Sequence, residues 1–254
     1  FGHACGHTHL FKETIMSKKT AEVATLSFEE DANIGLESIG KDDLAIPFLT
    51  ILQSNSPQLM EDKSLRPGMI YDTVLKKGFE ELLVVPCNYE KQYVEWTPRE
   101  QGGGLIATHS NIDGIELLKV CKKDDKGKDI LPNGNLLVPT AVYYVIYMNV
   151  SVKDVVEFSK AIISMTSTSL KKSRRWNSVM AGITMRGKEG QPFTPPLFSH
   201  MYRTTTIGEK NVHGSWYTWD ITMHSPVATS EIYNSGKQFA VDMGKSKVAA
   251  LPPF

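Results

Sequence analysis

Residues 161–185 read AIISMTSTSLKKSRRWNSVMAGITM, and the change of pattern inside this stretch decides the fold. Ala161 to Thr168 is apolar and β-branched, which predicts a strand. Ser167, Thr168 and Ser169 are candidate helix caps. From Leu170 the period changes, and Leu170, Trp176, Val179, Met180 and Ile183 share one helical face. Lys171, Lys172, Arg174 and Arg175 crowd the first turn and a half of that helix with no acid among them. Cations at a helix N-terminus oppose the macrodipole at a cost of about 0.3–1 kcal/mol each. The cluster is therefore a candidate anion-binding surface, with a solvated basic face as the plainer alternative.

Working outward, two long strands are predicted before the stretch. Glu81 to Trp96 alternates in its second half, and Pro86 predicts an edge or a bulge. Leu136 to Val150 is the richest in aromatic and β-branched residues. Asp154 to Thr168 contains the third strand. Phe198–Ile207 and Ser215–Val227 are the fourth and fifth, and Ser230–Met243 predicts a last helix. Ile46 to Leu52 is apolar, Met69–Tyr71 reads as a short strand, and residues 105–121 read as a small hairpin before a charged loop at 122–135. The order strand, strand, strand, helix, strand, strand predicts a mainly β chain with added helices (α+β). Its specific form would be a five-stranded OB-fold-like barrel with a helix between strands three and four and a C-terminal helix. The expected organisation is a flexible leader and acidic arm at 1–43, one nucleic-acid-binding domain at 44–243, and a tail at 244–254.

Composition narrows the function classes. The chain has 254 residues, with 28 Lys and Arg against 28 Asp and Glu. Net charge is +0, so local patches must carry any steering. One patch is acidic, with Glu22, Glu29, Glu30, Asp31, Glu37, Asp42 and Asp43 in residues 16–47. The other is the basic helix. Cys5, Cys87 and Cys121 are too few and too widely spaced for a disulfide framework. No apolar run is long enough to span a membrane. His3, Cys5, His7 and His9 alternate at spacing two, unlike a zinc finger, and residues 1–15 read as a leader ahead of Met16. Gly102, Gly103 and Gly104 lack a following Gly-Lys-Ser/Thr, so they do not form a nucleotide loop. No hydrolase, metalloprotease or dinucleotide signature is present, so neither enzymatic activity nor a cofactor is expected.

Aromatic and basic residues interleave on the predicted strands. Single strands are held by such pairing, with cations tracking phosphates and rings stacking bases at about 1–3 kcal/mol each. The candidate nucleic-acid-binding residues are Trp96, Arg99, Lys171, Lys172, Arg174, Arg175, Tyr202, Arg203 and Trp219. Which strand face is outward is left open by the pattern, and period two sends about half of such rings inward.

The segments RPGMIYDTV (66–74), YVEWTPREQGGG (93–104), ILPNGN (130–135), STSLKKSRRWNS (167–178) and GSWYTWDI (214–221) resemble those of a group of bacteriophage proteins described as single-stranded DNA-binding proteins. The resemblance spans residues 40–243. It implies non-specific binding of single-stranded DNA in phage replication or recombination, in the cytoplasm of the infected bacterial host. Replication or recombination proteins are the further partners it suggests, and self-association is left open. Proteins of that class often end in an acidic tail, whereas this chain ends KSKVAALPPF and carries its acids at the front. A virion structural or assembly protein is the alternative, since such chains are also strand-rich and neutral.

Overall fold

The computed structural model describes residues 32, 34–36, 44–149, 158–212 and 214–245. The predicted leader and nearly all of the acidic arm and tail lie outside these residues. Ala45–Phe254 forms one compact unit.

Strand β8 (Leu136–Asn149) runs through its centre. Tyr143, Val145 and Tyr147 enter one buried cluster, and Tyr144, Ile146 and Met148 enter another on the opposite face. A strand apolar on both faces needs a cover on each. Helix α3 (Leu170–Ala181) supplies one through Trp176 and Met180. Helix α4 (Ser230–Lys245) supplies the other through Ile232, Phe239 and Met243.

β8 pairs along its length with antiparallel β4 (Leu82–Trp96), from Leu82 opposite Asn149 to Trp96 opposite Leu136. The register shifts between Pro86 and Asn88. This is the predicted bulge, placed where proline has no N–H to donate. The other edge of β4 is divided. Leu82–Val84 pair with β12 (His200–Asn211), and Gln92–Trp96 pair with β5 (Leu105–Ser110). β13 (Gly214–Pro226) forms a long antiparallel hairpin with β12. β9 (Phe158–Thr166) lies along the far side of β8.

The five long strands thus follow the predicted order and lie side by side as β13-β12-β4-β8-β9. The structure is mainly β with helices, but its sheet is larger than the five-stranded barrel expected. It has eleven strands. β1 (Phe48–Ile51) runs parallel to β9, and β2 (Ile70–Asp72) and β3 (Lys77–Phe79) extend the sheet beyond it. The remaining two, β6 (Lys122–Lys123) and β7 (Asp129–Ile130), form a short hairpin against the start of β8, while β10 (Met185–Arg186) and β11 (Pro192–Phe193) pair apart from this sheet and α1 (Gln58–Glu61) is a single turn after β1. Among the described residues no backbone ladder joins β9 to β13. The apolar run at 46–52 occupies the edge of β9 instead.

The sheet curls into a half-barrel, and side chains draw its end together. Gln53 Nε2 donates to the Tyr217 carbonyl at 2.9 Å, and the Tyr217 N–H donates to Gln53 Oε1 at 2.9 Å. One amide therefore imitates a strand neighbour. Thr206 donates its hydroxyl to the Gly68 carbonyl. Gly68 has φ +91°, and a Cβ there would stand 2.8 Å from the Tyr217 ring. Replacing Gln53 by Ala leaves the Tyr217 amide without this partner. It should cost about 1–3 kcal/mol, read as a lower denaturant midpoint with an unchanged slope.

Residues 105–121 depart from the predicted hairpin. After β5 comes helix α2 (Asn111–Leu118), capped by Ser110, whose hydroxyl accepts from the Asp113 N–H at 3.2 Å and donates to Asp113 Oδ2 at 2.6 Å. Gly114 lets this helix lie on Tyr93, because a Cβ there would be 2.1 Å from the ring. Close by, the Glu95 carboxylate accepts from Asn135 Nδ2 at 2.6 Å, Asn133 Nδ2 at 2.9 Å and His109 Nε2 at 2.9 Å. These bonds, Asn135 foremost, hold its carboxyl below the ordinary value of 4.5, against the opposing effect of burial. A depressed folded pKa contributes stability above the unfolded value and loses it as pH falls through the folded one. Acid unfolding below about pH 4.5 should therefore be shallower in Glu95→Gln than in the parent, in midpoints followed against pH.

Candidate functional site

Helix α3 begins at Leu170, where the change of period predicts it, but without the expected side-chain cap. The chain leaves β9 at Thr166 and makes a three-residue turn, Ser167–Ser169, with Ser167 at φ +49°. No side-chain cap closes the helix among the described residues, and the Ser169 hydroxyl meets that of Thr218 at 3.2 Å. The inner face is pinned instead. The Tyr143 hydroxyl donates to Asn177 Oδ1 at 2.8 Å and accepts from the Ser173 hydroxyl at 2.7 Å. The Trp176 ring lies 4.3 Å from that of Tyr143 and 5.6 Å, edge on, from that of Tyr202. Burial pushes the Tyr143 phenol up, so it stays protonated and keeps its donor.

Pinning that face turns the basic one outward. Lys171, Arg174 and Arg175 are exposed and form no ion pair among the described residues. Lys172 is half-buried, and its Nζ lies 2.9 Å from Glu209 Oε1 on β12. The acid missing from the local sequence thus arrives from a neighbouring strand, and the free basic set is three rather than four.

Between α3 and β13 lies a shallow cleft floored by Trp176, Tyr202 and Trp219. Lys172, Arg175 and Asp220 stand with Val179 and Met223 among its remaining lining residues. Six of the nine predicted residues therefore gather on α3 or in this cleft. The outward-stacking role expected of the strand aromatics is not what the structure places here. Tyr202 is 1% exposed and Trp219 3%, so neither offers an open ring face to a base. The reason is parity: both side chains enter the buried cluster that Trp176 and Met180 of α3 cover. Burial also raises the Tyr202 phenol to about 12.

The other three residues fall elsewhere. Arg203 is turned by strand alternation to the opposite face from Tyr202 and pairs with Glu81. That pairing lowers the Glu81 carboxyl and raises the Arg203 guanidinium. Trp96 is half-buried and Arg99 exposed at the far end of β4, roughly 40 Å along the strand from Val84, the residue that pairs with Tyr202. Sequence reasoning placed Trp176 in the core, where it is, without seeing that it also floors a cleft. Val179 and Met223 were missed, although their helical and period-two spacing to Trp176 and Trp219 was visible.

Among the described residues no group of three or more His, Cys, Asp or Glu is placed to hold a metal. The segment containing His3, Cys5, His7 and His9 lies outside them. No helix among them is long and apolar enough to cross a membrane.

A mainly β fold carrying a pinned basic helix over an aromatic-floored cleft is the class that the geometry defines. A family model described as Pam3 phage gp34-like protein matches residues 16–249, and the chain belongs to that bacteriophage family. No curated protein and no solved structure gives a significant match.

The two faces of α3 separate by mutation. Trp176→Ala should cost about 3–5 kcal/mol of stability in chemical denaturation, as for other large core truncations. The pair Lys171→Ala with Arg174→Ala should stay within about 0.5 kcal/mol of the parent, or gain slightly by relieving the helix dipole.

Proposed function

We propose that this phage protein binds single-stranded DNA with little sequence preference, in replication or recombination inside the infected host. The observation that carries the reading is the exposed set Lys171, Arg174 and Arg175, without ion-pair partners among the described residues, presented on one helix beside an aromatic-floored cleft. Three fixed cations on one helix suit a flexible polyanion, which adapts its phosphates to them. The order of the five long strands supports viewing the sheet as an enlarged relative of the OB fold, a fold that binds oligonucleotides. The buried rings shift the emphasis of the contact from stacking to phosphate.

The test is a titration of intrinsic tryptophan fluorescence with a thirty-base oligonucleotide at several salt concentrations. Affinity should fall steeply with salt. The Lys171→Ala, Arg174→Ala pair should weaken binding to all sequences alike and reduce the salt slope by about 1.4, or roughly 0.7 per phosphate contact. An unchanged slope would place the DNA elsewhere; no binding at low salt would end the reading.

A virion structural or assembly role is the second reading. It is favoured by Ile106, Ile112 and Val120, which are 55%, 76% and 55% exposed within one short stretch. Apolar side chains so far out suit a partner surface. Concentration-dependent assembly in light scattering, without DNA binding, would support it.

A further inference from the structure

Strand β13 ends the sheet, and among the described residues its only backbone ladder is with β12. The Tyr217 N–H and carbonyl turn away from β12, where Gln53 meets both. The Asp220 carbonyl turns the other way, toward β12, and accepts from the Thr205 hydroxyl at 3.5 Å. Antiparallel alternation therefore sends the N–H and carbonyl of Trp219, Ile221 and Met223 outward with those of Tyr217. Met223 is 55% exposed, and its neighbours Thr222 and His224 are exposed as well.

An open edge is a template for another strand, and soluble proteins blunt such edges with lysine, proline or a bulge. β13 is blunted only towards its ends. Gln53 covers Tyr217 on one side. On the other, the register with β12 shifts, so that Met223 pairs with Tyr202 and Ser225 with Met201, and Pro226 closes the strand. The stretch between, Trp219–Met223, holds neither lysine nor proline, and its single charge is Asp220.

The charge pattern selects the occupant of this edge. Asp220 and His224 both act on the Glu81–Arg203 ion pair: Arg203 lowers the Glu81 carboxyl with a smaller contribution from His224, and Glu81 raises the Arg203 guanidinium with a smaller one from Asp220. Thr222, opposite Arg203 in the ladder, stands midway between Asp220 and His224 and shares their face by alternation. An antiparallel strand centred on Thr222 is complementary if it sets an imidazole against Asp220 and a carboxylate against His224. β13 itself has that pattern. Two copies related by a two-fold axis at Thr222 place Asp220 of each opposite His224 of the other, and Ile221 opposite Met223. The Ile221 and Met223 backbones are those already turned outward, so in this register they exchange N–H and carbonyl. A slip of one residue sets outward groups against groups turned toward β12, and a slip of two separates Asp220 from His224.

We propose that β13 pairs with β13 of a second copy of this chain, antiparallel about Thr222, giving a two-fold dimer with a continuous sheet. The contact is independent of DNA. It stops at two chains, because the same edge is used up in both.

The experiment weighs the full chain by sedimentation equilibrium without DNA, from micromolar to hundreds of micromolar concentration. The average mass should rise from that of one chain to that of two and level there. Thr222→Lys sets like charges against each other at the axis and should weaken the dimer by about fivefold or more, with the melting temperature at low concentration unchanged. Thr222→Cys reads the register. Residues facing each other across the axis stand about 4.5–5.5 Å apart, within reach of a disulfide, so mild oxidation should give a covalent dimer beyond anything the parent forms. Asp220→Cys, whose two copies would stand roughly 14 Å apart, should not. The pairing is overturned by a parent that keeps the mass of one chain throughout or grows past two. It is equally overturned by a dimer indifferent to Thr222→Lys, or by Asp220→Cys cross-linking as readily as Thr222→Cys.

Discussion

Adjacent residues Tyr143 and Tyr144 of β8 point to opposite faces of the sheet, and both are fully buried. This one constraint organises the molecule. A strand that cannot expose either face must lie between two layers, and the chain provides them as α3 and α4. The Tyr143 side also sets the orientation of α3, because its hydroxyl and ring hold Ser173, Asn177 and Trp176. The basic face is outward because the opposite face has no freedom to turn.

That arrangement separates two duties within one helix. Residues facing the sheet contribute stability through stacking and burial. Residues facing solvent carry charge: Lys171 and Arg174 are exposed, and Arg175, also exposed, stands among the lining of the cleft. Lys172 is intermediate, tied to Glu209 of the β12–β13 hairpin, and so it fixes where α3 sits beside the cleft.

The elements legible in sequence were those with a strong local pattern. The switch from β-branched residues to helical spacing at Leu170 located α3 closely, and the Pro86 bulge followed from a missing N–H. The order of the five long strands was equally visible. Hidden from view was whatever depended on a distant partner. The short strand at Met69–Tyr71 and the apolar run at 46–52 were visible, but not their pairing, which is set by the open edge of β9. The α2 cap at Ser110 and Asp113 was written in the sequence, but Gly114 disguised the helix, its need for glycine being imposed by Tyr93. The parity of Tyr202 and Trp219 could not be settled, because a curled sheet covered on both sides buries aromatics on each.

The Gln53–Tyr217 bridge has a consequence for motion. Two hydrogen bonds from one side chain tie this end of the sheet to β13, where a closed barrel would have a full ladder. Breaking them exposes little core, whereas separating β4 from β8 requires the whole domain to unfold. Opening should therefore be graded, with the seam at Gly68 and Tyr217 exchanging its amides through a small local fluctuation and the central strands only through global unfolding. The β13 wall of the cleft therefore belongs to the part of the sheet that loosens first, while the two layers around β8 hold to the last.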